Sequence, residues 1–335
     1  MLTGKKVLVI GLARSGKAAV KLLQKLNATI TINEGKELEK IEGYQEYLDA
    51  GIEIVAGGHP DELFERDFDF VVKNPGINYH KPFILRLKER GIPVYTEIEL
   101  AYQVAKKQHY IAVTGTNGKG SVTSYISYAL FTSGLRVGRF TSPHLQSYTE
   151  RIQINDGNIT EEAFGTLISR VKVAVDTIIN NGIEAPTQFE ILTAAAFLFF
   201  KEQGVDYAVV EVGLGGLLDS TNIVTPKVSV ITNVTIDHQA YCGDTVEEIA
   251  RHKAGIIKPK VPVVTAAQDT PLNIIEDVAK KRHAKLYVFN KDFGIDSRSA
   301  VTGGQMITIS SNDAAPAMLF TTMAGIHQSV NLACA

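Results

Sequence analysis

Along the first hundred residues the apolar positions switch repeatedly between two periods. Short β-branched runs at Lys6 to Ile10, Thr29 to Ile32, Glu53 to Val55, Phe68 to Val72 and Pro93 to Tyr95 read as strands. Between them lie amphipathic stretches. In Lys17 to Leu26 the residues Ala18, Ala19, Leu22, Leu23 and Leu26 recur at helical spacing, and Pro82 opens another helix at a first-turn position. Strands alternating with helices predict a parallel sheet wrapped by helices. The pattern breaks at Lys106, Lys107 and Gln108 and restarts with a strand at His109 to Val113, so one domain is expected over 1–108 and a second over 109–335. The second pattern runs strand, glycine loop and helix, then a long helical pair, Glu161 to Asn180 and Gln188 to Gln203. Further strands are expected at Tyr207 to Glu211, Val228 to Thr232, Val261 to Thr265 and Lys285 to Val288, with Gly303 to Ser310 as a hairpin arm. A last helical pattern begins near Gly325 and still runs at Ala335 without a stop signal, so the sequence reads as cut short.

Length and composition narrow the class. At roughly 150 residues per domain, 335 residues suit about two domains. A composition 45% hydrophobic and 21% charged excludes a disordered, fibrous or disulfide-stapled chain. With 34 basic against 36 acidic side chains there is no bulk attraction to nucleic acid or anionic lipid, so any phosphate binding must be local. Cys242 and Cys334 are too few for a disulfide framework or a four-cysteine zinc site, which fits a reducing cytoplasm. The opening MLTGKKVLVIG reads as a first strand rather than a signal peptide, and the longest apolar stretch, Ile191 to Phe200, falls short of the roughly 20 residues that cross a bilayer. A cytoplasmic protein with no nucleic-acid and no membrane partner is expected.

The strongest local signal is VTGTNGKGS, Val113 to Ser121, between a hydrophobic strand and a helix-forming run. Glycines 115, 118 and 120 let backbone N–H groups turn toward a phosphate, the following helix presents its positive end, and Lys119 reaches the terminal phosphates as a point charge. Ser121 is then the natural Mg2+ ligand. Only Thr116 and Asn117 separate the first glycine from the next Gly-Lys, fewer than in the general P-loop pattern. GLARSG, Gly11 to Gly16, also joins a strand to a helix, with Asn33 and Glu34 ending the next strand where a ribose-binding acid would sit. A turn that needs small residues only to pack would look the same. In EVGLGGLLDSTN, Glu211 emerges at the C-terminal end of a strand, where parallel sheets place ligands, and is a metal candidate. Asp219 and Asn222 admit a turn role, bonding their own backbone. Asp237 and His238 follow another strand and point to the same rim. Lys253, in HKAGIIK, lies on a helix beginning near Val246. An ordinary helical lysine is a solvated charge. A buried one beside a metal would have a lowered pKa and could react with CO2 to give a carbamate ligand.

Taken in order, GTNGKGS, TSPHLQSYTERI, PTQFEILTAAAF, EVGLGG, DSTN, DHQ, HKAGIIKP and GIHQSVN make Tyr110 to Ala335 resemble the ATP-binding central domain of folylpolyglutamate synthase, including its dihydrofolate synthase form. In Met1 to Gln108, GLARSG, ITINEGK, VKNPGIN and IPVYTEIEL resemble the N-terminal, UDP-binding domain of UDP-N-acetylmuramoylalanine-D-glutamate ligase. Both belong to the Mur ligase superfamily, so the chain resembles a chimera joined at the shared loop. The resemblance implies an α/β fold: an N-terminal Rossmann-like parallel-sheet domain, then a P-loop ATPase α/β domain, with the usual C-terminal third domain absent.

It also implies ATP and Mg2+ as cofactors and an amide formed through an acyl phosphate. The small-molecule substrates would be folate or dihydropteroate with L-glutamate, or alternatively UDP-MurNAc-L-alanine with D-glutamate. A further alternative is a nucleotide-binding protein without full catalysis. By resemblance, Thr116, Asn117, Gly118, Lys119 and Gly120 hold the ATP phosphates, Ser121 and Glu211 bind Mg2+, His238 binds a second Mg2+, and Lys253 is the carbamylated lysine. Ser142 and His144 border the metal and pterin region, while His327, Gln328 and Asn331 sit by the adenine and ribose. In the first domain Arg14, Ser15 and Gly16 face the UDP diphosphate and Glu34 the uracil end. Leu217 departs from the pattern, standing where the folate family often has arginine.

Overall fold

The computed structural model describes residues 2–74, 77, 81–95, 100, 108–180 and 184–335; the side chains of Arg14 and Ser15, Lys106 and Lys107 of the expected boundary, and parts of VKNPGIN and IPVYTEIEL lie outside the described residues. The chain divides into two compact units, Met1–Lys106 with Ala174–Ala185, and Lys107–Val173 with Pro186–Ala335. The expected second domain is thus interrupted at Ala174–Ala185. A helix is continuous through its own hydrogen bonds, so its length does not keep it within one unit.

In the first unit, β1 (Lys6–Ile10), β2 (Thr29–Asn33), β3 (Glu53–Val55), β4 (Phe70–Lys73) and β5 (Val94–Tyr95) form a parallel sheet in the order β3-β2-β1-β4-β5. Successive side chains on β1 point to opposite faces. Val7 and Val9 pack with Val20, Leu23 and Ile32, while Leu8 and Ile10 pack with Leu63, Phe64, Ile84 and Leu87. Burial on both faces explains why these strands read as continuous apolar runs. The first helix, Arg14–Lys25, begins three residues before Lys17, where its apolar period starts, because a first turn that follows a loop needs no core contact.

The second unit holds an eight-stranded sheet in the order β13-β12-β11-β6-β10-β7-β8-β9. Its parallel strands are β6 (His109–Thr114), β7 (Val137–Phe140), β10 (Tyr207–Glu211), β11 (Val228–Ile231), β12 (Val263–Thr265) and β13 (Leu286–Val288). The short β8 (Ile152–Ile154) and β9 (Gly157–Asn158) continue it antiparallel at one edge. Ile111, Val113, Val137, Val209 and Val230 pack under Val122 and Ile126 of the Lys119–Thr132 helix, which fixes that helix over the centre of the sheet.

Gly303 to Ser310 is a hairpin arm, as expected, and it serves two hairpins at once. It becomes β15 (Gly304–Ser311), the middle strand of a three-stranded antiparallel sheet between β14 (Phe293–Val301) and β16 (Ala314–Thr321). Seven of the eight residues of β16 are exposed, on both faces, so it lacks the alternation by which a half-buried strand is recognised. Among the described residues, no helix is long and apolar enough to cross a membrane.

Candidate functional site

Strand register assembles the site in the second unit. β6 lies between β10 and β11, with Glu211 opposite Val113 and Ile231 opposite Thr114. Three C-terminal strand ends therefore meet: the Gly115–Gly118 loop, Glu211, and the segment from Thr232 to His238. Gly118 has a φ of 83°, favourable only to glycine, and a Cβ there would collide with the Asn331 side chain. The Lys119–Thr132 helix starts with no acidic residue in its first turn, so its positive end carries no internal counter-charge. Lys119 Nζ folds back over the loop, donating to the carbonyls of Gly115 at 2.9 Å and Thr116 at 3.2 Å.

Glu211 is 4% exposed, and its Oε2 lies 3.7 Å from where a Cβ on Gly120 would stand, against the turn that carries Ser121. Burial pushes its carboxyl up to about 7, opposed by the Ser142 N–H and the Lys119 charge. The Ser142 N–H donates to Oε2 at 3.1 Å, and Oε1 accepts no hydrogen bond from the described residues. A buried carboxylate with spare acceptor capacity beside a helix N-terminus suits a hard cation that binds oxygen. The glycine loop and this one carboxylate are therefore compatible with the phosphate and the cation that the sequence implies. Among the described residues, however, no three His, Cys, Asp or Glu side chains form a metal-binding group. Glu211 and His238 would need Ser121, a modified Lys253 or ligand oxygens to complete a shell.

His238 adopts a φ of 50°, and its Nε2 stands 3.3 Å from Asp237 Oδ2 at a half-exposed position. Lys253, on the Val246–Ala254 helix, is 2% exposed. Burial, then the Lys119 charge, brings its pKa down to about 8, with Cys242 and Asp237 acting in the opposite sense. It is therefore a buried base within electrostatic reach of the loop lysine. Ser142 reaches Glu211 through its backbone. His144 accepts from Arg151 Nε at 2.8 Å and packs on Tyr148 with ring centroids 4.3 Å apart.

Asp219 builds a turn. Its carboxylate accepts from Leu214 N–H at 2.8 Å, Thr221 N–H at 2.9 Å and the Thr221 hydroxyl at 2.5 Å. Asn222 Nδ2 ties the carbonyls of Leu217 and Gly255 at 3.1 and 3.2 Å. Leu217 itself is half exposed. On the Ile326–Ala333 helix, Asn331 is buried against Gly118 and donates to Gln328 Oε1 at 3.1 Å. The His327 ring instead lies back over Gly325.

Two expected phosphate donors are engaged elsewhere. The N–H groups of Thr116 and Asn117 donate to the carbonyl and side-chain oxygens of Asn233, both at 2.9 Å. That leaves the N–H groups of Gly118 to Ser121 as the donors at the helix start. Sequence reasoning missed Thr232, Asn233 and Thr235, which grip this loop. A polar TNVT run just past a buried strand was the available signal.

In the first unit a Cβ on Gly16 would fall on the Gly11 carbonyl, so the GLARSG turn needs glycine there to close. Glu34 accepts from Leu12 N–H at 2.6 Å and Lys36 N–H at 3.3 Å. Its carboxylate is engaged in holding that turn. A cavity of about 710 Å³ opens beside it, lined among others by Lys17, Lys21, Glu34, Lys36 and Lys40.

Two family models match the chain. The Mur ligase middle domain matches residues 113–335, and the Mur ligase MurD-like N-terminal domain matches residues 5–96. Folylpolyglutamate synthase of Lacticaseibacillus casei is 39% identical over 234 residues, 68% of this chain and 53% of that protein. UDP-N-acetylmuramoylalanine–D-glutamate ligase of Streptococcus thermophilus is 50% identical over 129 residues, 38% of this chain and 28% of its own length. A solved FPGS–AMPPCP complex matches with a TM-score of 0.67 and 36% identity, over 71% of this chain and 59% of that one. The chain spans about half the length of the folylpolyglutamate synthases that it matches.

Proposed function

The chain belongs to the Mur ligase family, and from that premise we propose that it acts in ATP-dependent ligation of a carboxylate to an amine, most like folylpolyglutamate synthase, which would join L-glutamate to a folate. The observation that carries this reading is the placement of the buried Glu211 carboxylate against the first turn of the helix that bears Lys119 and Ser121. The N–H groups of Gly118 to Ser121 would orient the phosphates of ATP, with Asn331 packed behind the loop. Lys119 would exchange its two loop carbonyls for phosphate oxygens and stabilise the charge that develops when a carboxylate attacks the γ-phosphate. Ser121, Glu211, His238 and a carbamylated Lys253 would hold Mg2+. When bound, that ion supplies charge neutralisation of the triphosphate. The burial of Lys253, which favours its neutral amine, supports the carbamate. Ser142 and His144 would border the acid substrate, and His327 and Gln328 the nucleoside. The resulting acyl phosphate would be trapped by the amine of glutamate.

A second acid substrate, UDP-MurNAc-L-alanine with D-glutamate, is favoured by the MurD-like first domain and its lysine-lined cavity; by resemblance Arg14, Ser15 and Gly16 would face its diphosphate and Glu34 its uracil end. Two free cysteines suit the cytoplasm. The test is product analysis. The protein is incubated with ATP and Mg2+ and either dihydropteroate or dihydrofolate plus L-glutamate, or UDP-MurNAc-L-alanine plus D-glutamate. ADP formed only with a folate substrate supports the first reading, and ADP formed only with the muramoyl substrate supports the second. ATP binding without ADP from either overturns both in favour of nucleotide binding without turnover.

A further inference from the structure

The segment after β11 grips the phosphate loop more closely than any assigned ligand residue does. The Asn233 side-chain amide pairs with both backbone groups of Asn117, accepting its N–H at 2.9 Å and donating to its carbonyl at 3.1 Å. The Thr232 hydroxyl donates to the same carbonyl at 2.6 Å, and the Asn233 carbonyl accepts the Thr116 N–H at 2.9 Å. Two residues further on, Thr235 N–H donates to Thr116 Oγ1 at 3.0 Å, and that hydroxyl donates to the Thr235 carbonyl at 3.2 Å. A residue whose own N–H and C=O are both held has the peptide planes on either side of it fixed. Gly118 comes directly after it, at its left-handed φ, and the free N–H groups begin there.

We propose that Asn233 is a positioning residue for the phosphate loop. Its amide holds the two peptide planes that flank Asn117 so that the N–H groups of Gly118, Lys119 and Gly120 converge on a polyphosphate. This rests on reading Gly115 to Ser121 as the ATP site. Alanine at 233 removes both hydrogen bonds and frees the planes that flank Asn117, whereas aspartate keeps the shape and the acceptor but loses the donor and brings a negative charge to the loop.

The experiment is calorimetric titration of the full chain and of Asn233→Ala and Asn233→Asp with Mg-ATP and, separately, with adenosine, together with melting curves. Loss of two neutral hydrogen bonds that order the loop should weaken Mg-ATP about 10-fold in Asn233→Ala. Asn233→Asp at pH 8 should lose more. Adenosine, which makes no phosphate contact, should bind all three proteins within about 2-fold. A purely structural role would weaken ATP and adenosine in proportion, and that result overturns the proposal. So does Mg-ATP affinity at the wild-type level in either variant. If Asn233→Ala melts well below the wild type, the near-isosteric Asn233→Asp decides. Failure of the unmodified chain to bind Mg-ATP refutes the ATP reading and the proposal with it, whereas wild-type binding with unaffected variants refutes the proposal alone.

Discussion

Replacing Glu211 by glutamine isolates the energetics of one buried carboxylate. The side chain is 4% exposed, and burial moves its pKa from 4.5 to about 7. A carboxyl that keeps its proton to higher pH when folded makes the native state bind more protons across that window. Stability therefore falls as pH rises from about 4.5 to about 7 and is level above it. A shift of this size corresponds to about 3 kcal/mol. Glutamine has nearly the same shape, still accepts the Ser142 N–H and has no charge to desolvate. In EDTA the Glu211→Gln variant should match the wild type near pH 4 and exceed it by about 1–3 kcal/mol near pH 8. Urea unfolding followed by circular dichroism reads this, in the transition that nucleotide shifts. Mg-ATP should reverse the order. A ligand present at roughly 100 times its Kd stabilises by about 2.7 kcal/mol, and that gain should be large in the wild type and mostly missing from a variant without an anionic oxygen for the cation. A variant no more stable than the wild type near pH 8 would refute the burial argument. One that keeps the whole Mg-dependent gain would refute the metal role.

Other perturbations separate ligand-binding residues from turn-building ones. Lys119→Ala removes bonds only to the edge carbonyls of Gly115 and Thr116, so stability should change by less than about 1 kcal/mol while Mg-ATP affinity drops about 100-fold in calorimetry. Asp219→Ala strands the N–H groups of Leu214 and Thr221. It should cost about 2–4 kcal/mol in unfolding experiments, yet leave Mg2+ affinity of the folded protein unchanged; a selective loss of Mg2+ binding would refute a role confined to the turn. With Lys253 titrating near 8, its neutral amine grows as pH rises through that value, so bicarbonate should raise ADP formation more above about pH 8 than below. Lys253→Ala should abolish the bicarbonate response, and small carboxylates should partly restore activity. A bicarbonate response that survives in the variant would exclude the carbamate.

Much of the site was legible because its chemistry is local. A strand, a run of glycines and a Lys-Gly-Ser opening a helix occupy consecutive residues, so the phosphate loop and Lys119 could be read from order alone. Glu211 was legible for a related reason: a central parallel strand buried on both faces is a continuous apolar run, and a carboxylate ending one stands out against it. The choice at Asp219 was not legible, since an aspartate that caps a turn and one that binds a metal have the same neighbours in sequence. Only the three hydrogen bonds that it accepts settled the turn role. The antiparallel sheet was half visible, because β16 is exposed on both faces and carries no period-two pattern. Composition, periodicity and motif order by themselves determined the α/β class, most of the parallel strands and the glycine loop that joins β6 to the Lys119–Thr132 helix. Tertiary structure decided what surrounds that loop: register set Glu211 beside Val113 and carried Asn233 onto Asn117, a partner 116 positions away. Side-chain pattern along a strand records which faces are buried, but it holds no information about which strand lies alongside. That is fixed only when the sheet forms.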